Sequence, residues 1–192
     1  MQILLPAYMA PETIGRERMV AQDAEGQRLR DQLKAQIDKG WWLHAEQGVS
    51  VGYRYPQSGI NIQDDDTEEP QWDRVKIVPT TWPGSRAPHV FLSDRCTSIF
   101  DHYGPGFTIV DFTASGEASS IFVDVARSLA APLKKVHLPA ETHCRKIWER
   151  DLVLVRPDGY VAWRCSSKTP DSDSLDGNRI RDILLYVLGR GV

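Results

Sequence analysis

Cysteine is scarce in this 192-residue chain: Cys96, Cys144 and Cys165 are odd in number and form no CxxC pair. A disulfide framework is therefore excluded, and no N-x-[ST] sequon occurs either. Both absences fit a reducing, intracellular location, and a cytoplasmic protein is expected. The opening "MQILLPAYMAP" is apolar but lacks the basic n-region of a signal peptide, and Pro6 and Pro11 interrupt it. No hydrophobic run approaches the length of a membrane span, so no membrane partner is expected. Charge of one sign is missing too. Lys and Arg number 23 against 26 Asp and Glu, a net charge of −3 with no basic stripe, which argues against nucleic acid as a partner. Walker loop, HExxH and GxSxG elbow are all absent. "GPGF" (104–107) lacks the third glycine and the preceding strand of a dinucleotide site, and reads as a turn.

What is present is ordinary globular material, with 41% hydrophobic and 26% charged residues, enough for one domain or one domain with an arm. Residues 23–39, "DAEGQRLRDQLKAQIDK", read as a helix: Leu29, Leu33 and Ile37 recur every fourth position on one face, and Gly40 is a plausible stop. Val49, Val51, Tyr53 and Tyr55 alternate as in a half-buried strand over about 49–55. The acidic stretch "QDDDTEEPQWD" (63–73) reads as a solvated loop, because adjacent carboxylates on a flexible segment do not preorganise a metal cage. These pieces make an N-terminal arm, residues 1–79.

From residue 80 to 192 a second unit is expected. "FTIVDF" (107–112) suits a central strand, and "SSIFVDVARSLA" (119–130) a helix with Ser119 or Ser120 as its cap. "LKKVHL" (133–138) is a further strand, and 141–150 a short irregular or helical piece. "LVLV" and "YVAW" flank Arg156-Pro157-Asp158-Gly159, a strong hairpin signal. The end reads as a helix on the spacing of Ile180, Ile183, Leu184, Val187 and Leu188, closed by Gly189. Strand–helix–strand demands a parallel pair, which the hairpin extends antiparallel with helices on both faces. The expected fold is thus an α/β thioredoxin-like sandwich with a mixed sheet, preceded by the helical and strand arm.

Redox members of such a fold place the reactive thiol where the first strand meets its helix. Here that corner is Asp111-Phe112-Thr113-Ala114-Ser115-Gly116-Glu117, with no cysteine, so disulfide exchange is not expected. The densest polar group lies earlier. Arg86, His89, Asp101, His102 and Tyr103 are the candidate catalytic residues, since a histidine near a carboxylate suits acid–base work and arginine or tyrosine can hold an oxyanion. The competing reading gives these groups only structural hydrogen bonds. Trp41, Trp42, Tyr53 and Tyr55 are candidate lining for an aromatic substrate, against a bland role in packing. His137, His143 and Cys144 match no metal spacing, so no metal and no cofactor is expected.

"GYRYPQSGI", "PGSRAPHVFL", "FDHYGPGFTIVDF" and above all "LVLVRPDGYVAWR" resemble the C-terminal region of flavin-dependent aromatic-ring hydroxylases, the group of phenol, chlorophenol and polyketide monooxygenases. The resemblance runs from about residue 23 to the end. It implies a thioredoxin-like domain without redox cysteines, with Arg86, Ala87, Pro88 and His89 in the connector that enters it. In that family flavin and substrate sit mainly in preceding domains, whose GxGxxG and Gly-Asp motifs this chain lacks, so no FAD site of its own is expected. Two positions depart from the family pattern: relatives usually carry an apolar residue at His102 and a glycine near Arg95-Cys96.

Three readings follow. The first is a stand-alone accessory or dimerisation module in oxidative metabolism of phenolic or polyketide compounds, partnered by a flavoenzyme or by itself through the Leu29/Leu33/Ile37 face. The second is a repurposed cofactor-free cyclase, isomerase or dehydratase acting on a phenolic or polyketide-like compound. The third is a truncated gene product.

Overall fold

The computed structural model describes residues 20–40, 46–63, 67–165 and 175–191. Two compact units emerge, Met1–Glu46 and Gln47–Val192. The first holds helix α1, Ala24–Gly40, as its four-residue repeat requires. Its start is set by Asp23, whose carboxylate accepts from Gly26 N at 2.7 Å. Leu29 and Leu33 are half-buried and Ile37 is exposed.

The second unit is built on a four-stranded sheet of order β2-β1-β3-β4, with β1 at Phe107–Asp111, β2 at Leu133–His137, β3 at Leu152–Val155 and β4 at Val161–Arg164. β1 pairs in parallel with β2, from Phe107↔Leu133 to Asp111↔His137. β3 runs antiparallel to both of its neighbours. Central strands here read as unbroken apolar runs because both faces are covered. On one face Ile109, Leu152 and Leu154 meet Phe122 and Ala126 of α3 (Glu117–Ser128) and Ile180, Ile183, Leu184 and Val187 of α5 (Gly177–Val187). On the other, Val110, Val153 and Val155 meet Cys144 and Trp148 of α4 (Thr142–Trp148), with Val90, Leu92 and Ile99 of the preceding loop. Each such side chain, fully buried, stabilises by about 1.5–3 kcal/mol.

The hairpin forms where its turn chemistry puts it. Gly159 N donates to Arg156 O at 2.9 Å, and Gly159 takes φ 83°, the left-handed bulge position after a type I turn. Gly189, at φ 65°, closes α5 by donating to Tyr186 O. Asp176 caps the other end of α5, accepting from Arg179 N at 2.7 Å.

Two local expectations are corrected. Neither Ser119 nor Ser120 caps α3: Gly116 holds that position, and both hydroxyls lie inside the first turn, donating back to Gly116 O at 3.0 and 2.9 Å. No strand spans 49–55 either. Residues Gln47–Ser50 form a single helical turn, α2, followed by a turn and one bridge, Arg54↔Ser85. Gly48 permits this, since a Cβ there would sit 1.8 Å from Asp73 O. Among the described residues no helix is long and apolar enough to cross a membrane.

Candidate functional site

The free side of β4 is covered by the connector rather than left as an open edge. Gly84 N donates to Val161 O at 2.8 Å, Val161 N to Ser85 O at 2.9 Å and Ala87 N to Gly159 O at 2.9 Å. Further along, Ile62 N donates to Ala162 O at 2.9 Å. On the connector's outer side Tyr55 N donates to Gly84 O at 2.8 Å, and Asn61 Nδ2 to Tyr55 O at 2.9 Å. Gly84 is obligatory at this crossing, with φ 86° and no room for a Cβ, which would lie 2.6 Å from Tyr55 O.

Beside this added edge lies a cleft of about 500 Å³, lined by Val51, Arg54, Ile77, Val78, the 85–89 connector and Phe100. Its walls are mostly apolar. Arg54 is pinned away from the opening, pairing with Glu69 at 3.2 Å and donating to Pro70 O at 2.5 Å. Arg86 and His89 are the exposed polar groups on the connector wall. The His89 ring stands edge-on to Phe91 at 4.8 Å and to Phe100 at 5.3 Å, and Phe100 in turn lies 5.2 Å from Tyr103. A cleft of this size, apolar with few polar groups, suits part of an aromatic molecule or an apolar protein edge.

The five candidate catalytic residues do not converge. Arg86 and His89 share the cleft, whereas Asp101 closes the capping box of the 3₁₀ turn Ile99–His102, accepting from Ser98 N at 2.9 Å. His102 is half-buried with its Nε2 unbonded, and the buried Tyr103 hydroxyl is likewise unbonded. Burial pushes the Tyr103 phenol well above its ordinary range, so it stays protonated. Among the candidate lining residues, Trp41 and Trp42 lie outside the described residues. Tyr53 and Tyr55 form an edge-on aromatic row with Tyr160, with centroids 5.0 and 4.9 Å apart. Burial raises the Tyr160 phenol, and the neighbouring Tyr55 adds to the shift while Arg86 opposes it.

The strand–helix corner is closed by internal bonds. Asp111, fully buried, accepts from Thr113 N at 2.7 Å and Thr113 Oγ1 at 2.6 Å, while His137 Nε2 meets Thr113 O at 2.7 Å. Lys135 Nζ donates to Gly116 O at 2.6 Å and Ser120 Oγ at 2.8 Å. Cys96 is exposed, and Cys144 and Cys165 are buried. A further group sits at the start of α4, where Glu141 joins His143 and Cys144. Adjacent histidine and cysteine alone give no metal spacing, and the fold adds the carboxylate as a third donor.

Known proteins agree with this architecture. The family model for the aromatic-ring hydroxylase C-terminal domain matches residues 80–190, beginning where the connector begins. An FAD-dependent monooxygenase of Emericella nidulans, apdD, is 41% identical over 127 residues, covering 62% of this chain and 20% of that protein. The FAD-dependent monooxygenase opdD of Penicillium oxalicum is 34% identical over 157 residues, covering 80% of this chain and 29% of that protein. Among solved structures, the rebeccamycin biosynthetic enzyme RebC with reduced flavin matches with TM-score 0.65 and 25% identity, over 91% of this chain and 30% of RebC. The chain thus spans about a fifth to three tenths of these relatives' length. With the match covering more than half of its residues, the chain belongs to the aromatic-ring hydroxylase C-terminal family.

Proposed function

We propose that the chain serves as a non-redox accessory domain of an FAD-dependent monooxygenase system acting on phenolic or polyketide compounds, with flavin and most of the substrate site supplied by the catalytic part of a flavoenzyme. The strand order supports a thioredoxin-like scaffold, and the corner without cysteine leaves that scaffold for binding. The observation that carries the reading is the apolar rim of the cleft. Val51, Ile77 and Val78 line the cleft and are 37%, 44% and 42% exposed, and Phe91, 51% exposed, packs edge-on against His89 of its connector wall. Such clustering marks an interaction face, and an interface between domains needs only about 600–1,500 Å². A reducing, cytoplasmic setting belongs to the same reading, resting on the odd cysteine count and the lack of a CxxC pair in the sequence.

The test mixes this chain with the FAD-loaded catalytic part of a relative such as the Penicillium monooxygenase. Complex formation is followed by sedimentation, and hydroxylation is measured with and without the chain. Val78→Asp and Phe91→Asp should each weaken the complex at least tenfold. Equal binding by parent and variants, or no complex at all, refutes the accessory role. Sedimentation of the chain alone separates this outcome from self-association.

A second reading, a cofactor-free enzyme using acid–base chemistry, is favoured by one observation: Arg86 and His89 sit together on the wall of an apolar cleft. In that case turnover of a phenolic or polyketide-like probe should disappear in His89→Ala. Turnover unchanged by that substitution ends the reading.

A further inference from the structure

Glu141, His143 and Cys144 offer a carboxylate oxygen, an imidazole nitrogen and a sulfur that lie within 4.8 Å of one another. Glu141 Oε2 is 3.4 Å from His143 Nδ1, His143 Nε2 is 3.3 Å from Cys144 Sγ, and Cys144 Sγ is 3.8 Å from Glu141 Oε2. A tetrahedral zinc ion bonded at ~2.3 Å to sulfur and ~2.0–2.2 Å to nitrogen and oxygen holds its donors roughly 3.4–3.6 Å apart. The carboxylate thus approaches one nitrogen of the ring and the sulfur the other, and a shared shell needs the ring to turn so that a single nitrogen faces both.

We propose that Glu141, His143 and Cys144 bind one thiophilic divalent cation of the zinc class, with a fourth position open to water. The tautomer of His143 supports this. Its Nε2 lies 2.8 Å from Phe91 O, which can only accept, so Nε2 carries a proton. Nδ1 then faces the Glu141 carboxylate at 3.4 Å, a gap that either a proton or a metal cation fills, and a turn of the ring brings Nδ1 toward the sulfur as well. A metal-bound histidine usually donates its other N–H to a backbone carbonyl, the part Phe91 O plays here. The carboxylate is oriented in the same way: Ser93 N donates to Glu141 Oε1 and Oε2 at 3.2 and 3.0 Å, and Ser93 Oγ to Oε2 at 2.8 Å. Both supports come from the 91–93 loop, so the ion would tie the start of α4 to the connector.

The donor set selects the metal class. Sulfur with nitrogen and a single carboxylate suits zinc and disfavours calcium or magnesium, which take oxygen ligands. On binding the cation the Cys144 thiol gives up its proton to solvent, since sulfur binds such ions as the thiolate.

The experiment uses cobalt(II) as the probe on the metal-free chain, followed by displacement with zinc. One equivalent of cobalt should produce a thiolate-to-cobalt charge-transfer band with the intense visible bands of a tetrahedral site, and zinc should abolish both. Glu141→Gln and His143→Ala should each weaken binding at least tenfold. Cys144→Ser should remove the charge-transfer band. Because Cys144 is buried, that variant could fail to fold, and the two other substitutions decide the matter without it. Cys96→Ser should change nothing. A missing charge-transfer band, unweakened binding in both Glu141→Gln and His143→Ala, or loss of the band in Cys96→Ser overturns the assignment.

Discussion

Replacing Gly84 by alanine tests how the connector is held against the sheet, and with it the wall of the cleft. The residue sits at φ 86°, and an added Cβ would lie 2.6 Å from Tyr55 O and 3.0 Å from Asn61 Nδ2. The left-handed backbone costs a non-glycine residue about 1–2 kcal/mol. Backing Tyr55 away also endangers two hydrogen bonds, Tyr55 N to Gly84 O at 2.8 Å and Asn61 Nδ2 to Tyr55 O at 2.9 Å, each worth roughly 0.5–1.5 kcal/mol net. The expected loss is therefore about 2–5 kcal/mol. For a domain of this size that lowers Tm by roughly 4–20 °C. Urea unfolding followed by tryptophan fluorescence gives the free energy directly. Gly177→Ala is the matched control, because nothing lies within 4 Å of its added Cβ and its φ is not left-handed. It should leave stability unchanged or raise it by about 0.4–1 kcal/mol. A Gly84→Ala chain unfolding within about 0.5 kcal/mol of the parent, below the ~1 kcal/mol minimum of backbone strain alone, would show that the connector is not seated as described.

Three other outcomes are open to direct measurement. Arg95 holds φ 60°, so Arg95→Gly should stabilise by about 0.5–1 kcal/mol, the strain relieved less the chain entropy added to the unfolded state; a loss in urea unfolding would contradict this. Tyr103→Phe removes a buried hydroxyl that makes no hydrogen bond and should be neutral or stabilising by up to about 1 kcal/mol, whereas a larger loss would reveal a partner for it. Alkylation mapped by mass spectrometry in chelator should label exposed Cys96 near neutral pH and leave Cys144 unlabelled, because its thiol is raised to about 11 from 9.0. The sign of the linked stability follows: the folded chain keeps that proton longer than the unfolded one, so stability falls as pH climbs from about 9 to about 11.

The sheet was legible because its signals are local and chemical. Pro157-Asp158-Gly159 can hardly be anything but a turn between apolar runs, and those runs need two covered faces. Arg95 stands in left-handed backbone, where glycine is the favoured residue. Residues 49–55 misled because alternation was taken as a sign of burial, yet Val49, Val51, Tyr53 and Tyr55 are all exposed. Gly48 folds the chain into a helical turn there instead, and Trp72 Nε1 donates to Gly48 O and Gly52 O at 3.3 and 3.1 Å. The acid–base cluster reads differently once folded: Asp101, His102 and Tyr103 follow one another in the chain, but the 3₁₀ turn uses the Asp101 carboxylate as a cap. Neither the turn nor the cap can be read from adjacency.

The closed corner explains why binding should be sought at the connector. In a redox relative, the junction after β1 must leave a thiol at a helix start, open to its partner. Here the same junction spends most of its donors and acceptors internally, Thr113 on Asp111 and His137 and Lys135 on Gly116 and Ser120, with only Asp111 Oδ2 left buried and unbonded among these groups. Gly116 also has no room for a side chain, since a Cβ would lie 2.8 Å from the His137 ring. Reopening this corner to a ligand would break several hydrogen bonds, each worth about 0.5–1.5 kcal/mol, to gain one contact. The connector faces no such cost. Its backbone bonds are already satisfied on β4 and Tyr55, so Arg86, His89 and the apolar rim can meet a partner without unmaking anything beneath them. Among the described residues, a face whose backbone is already bonded to β4 and Tyr55 and whose Arg86 and His89 side chains are exposed can bind without unmaking those bonds.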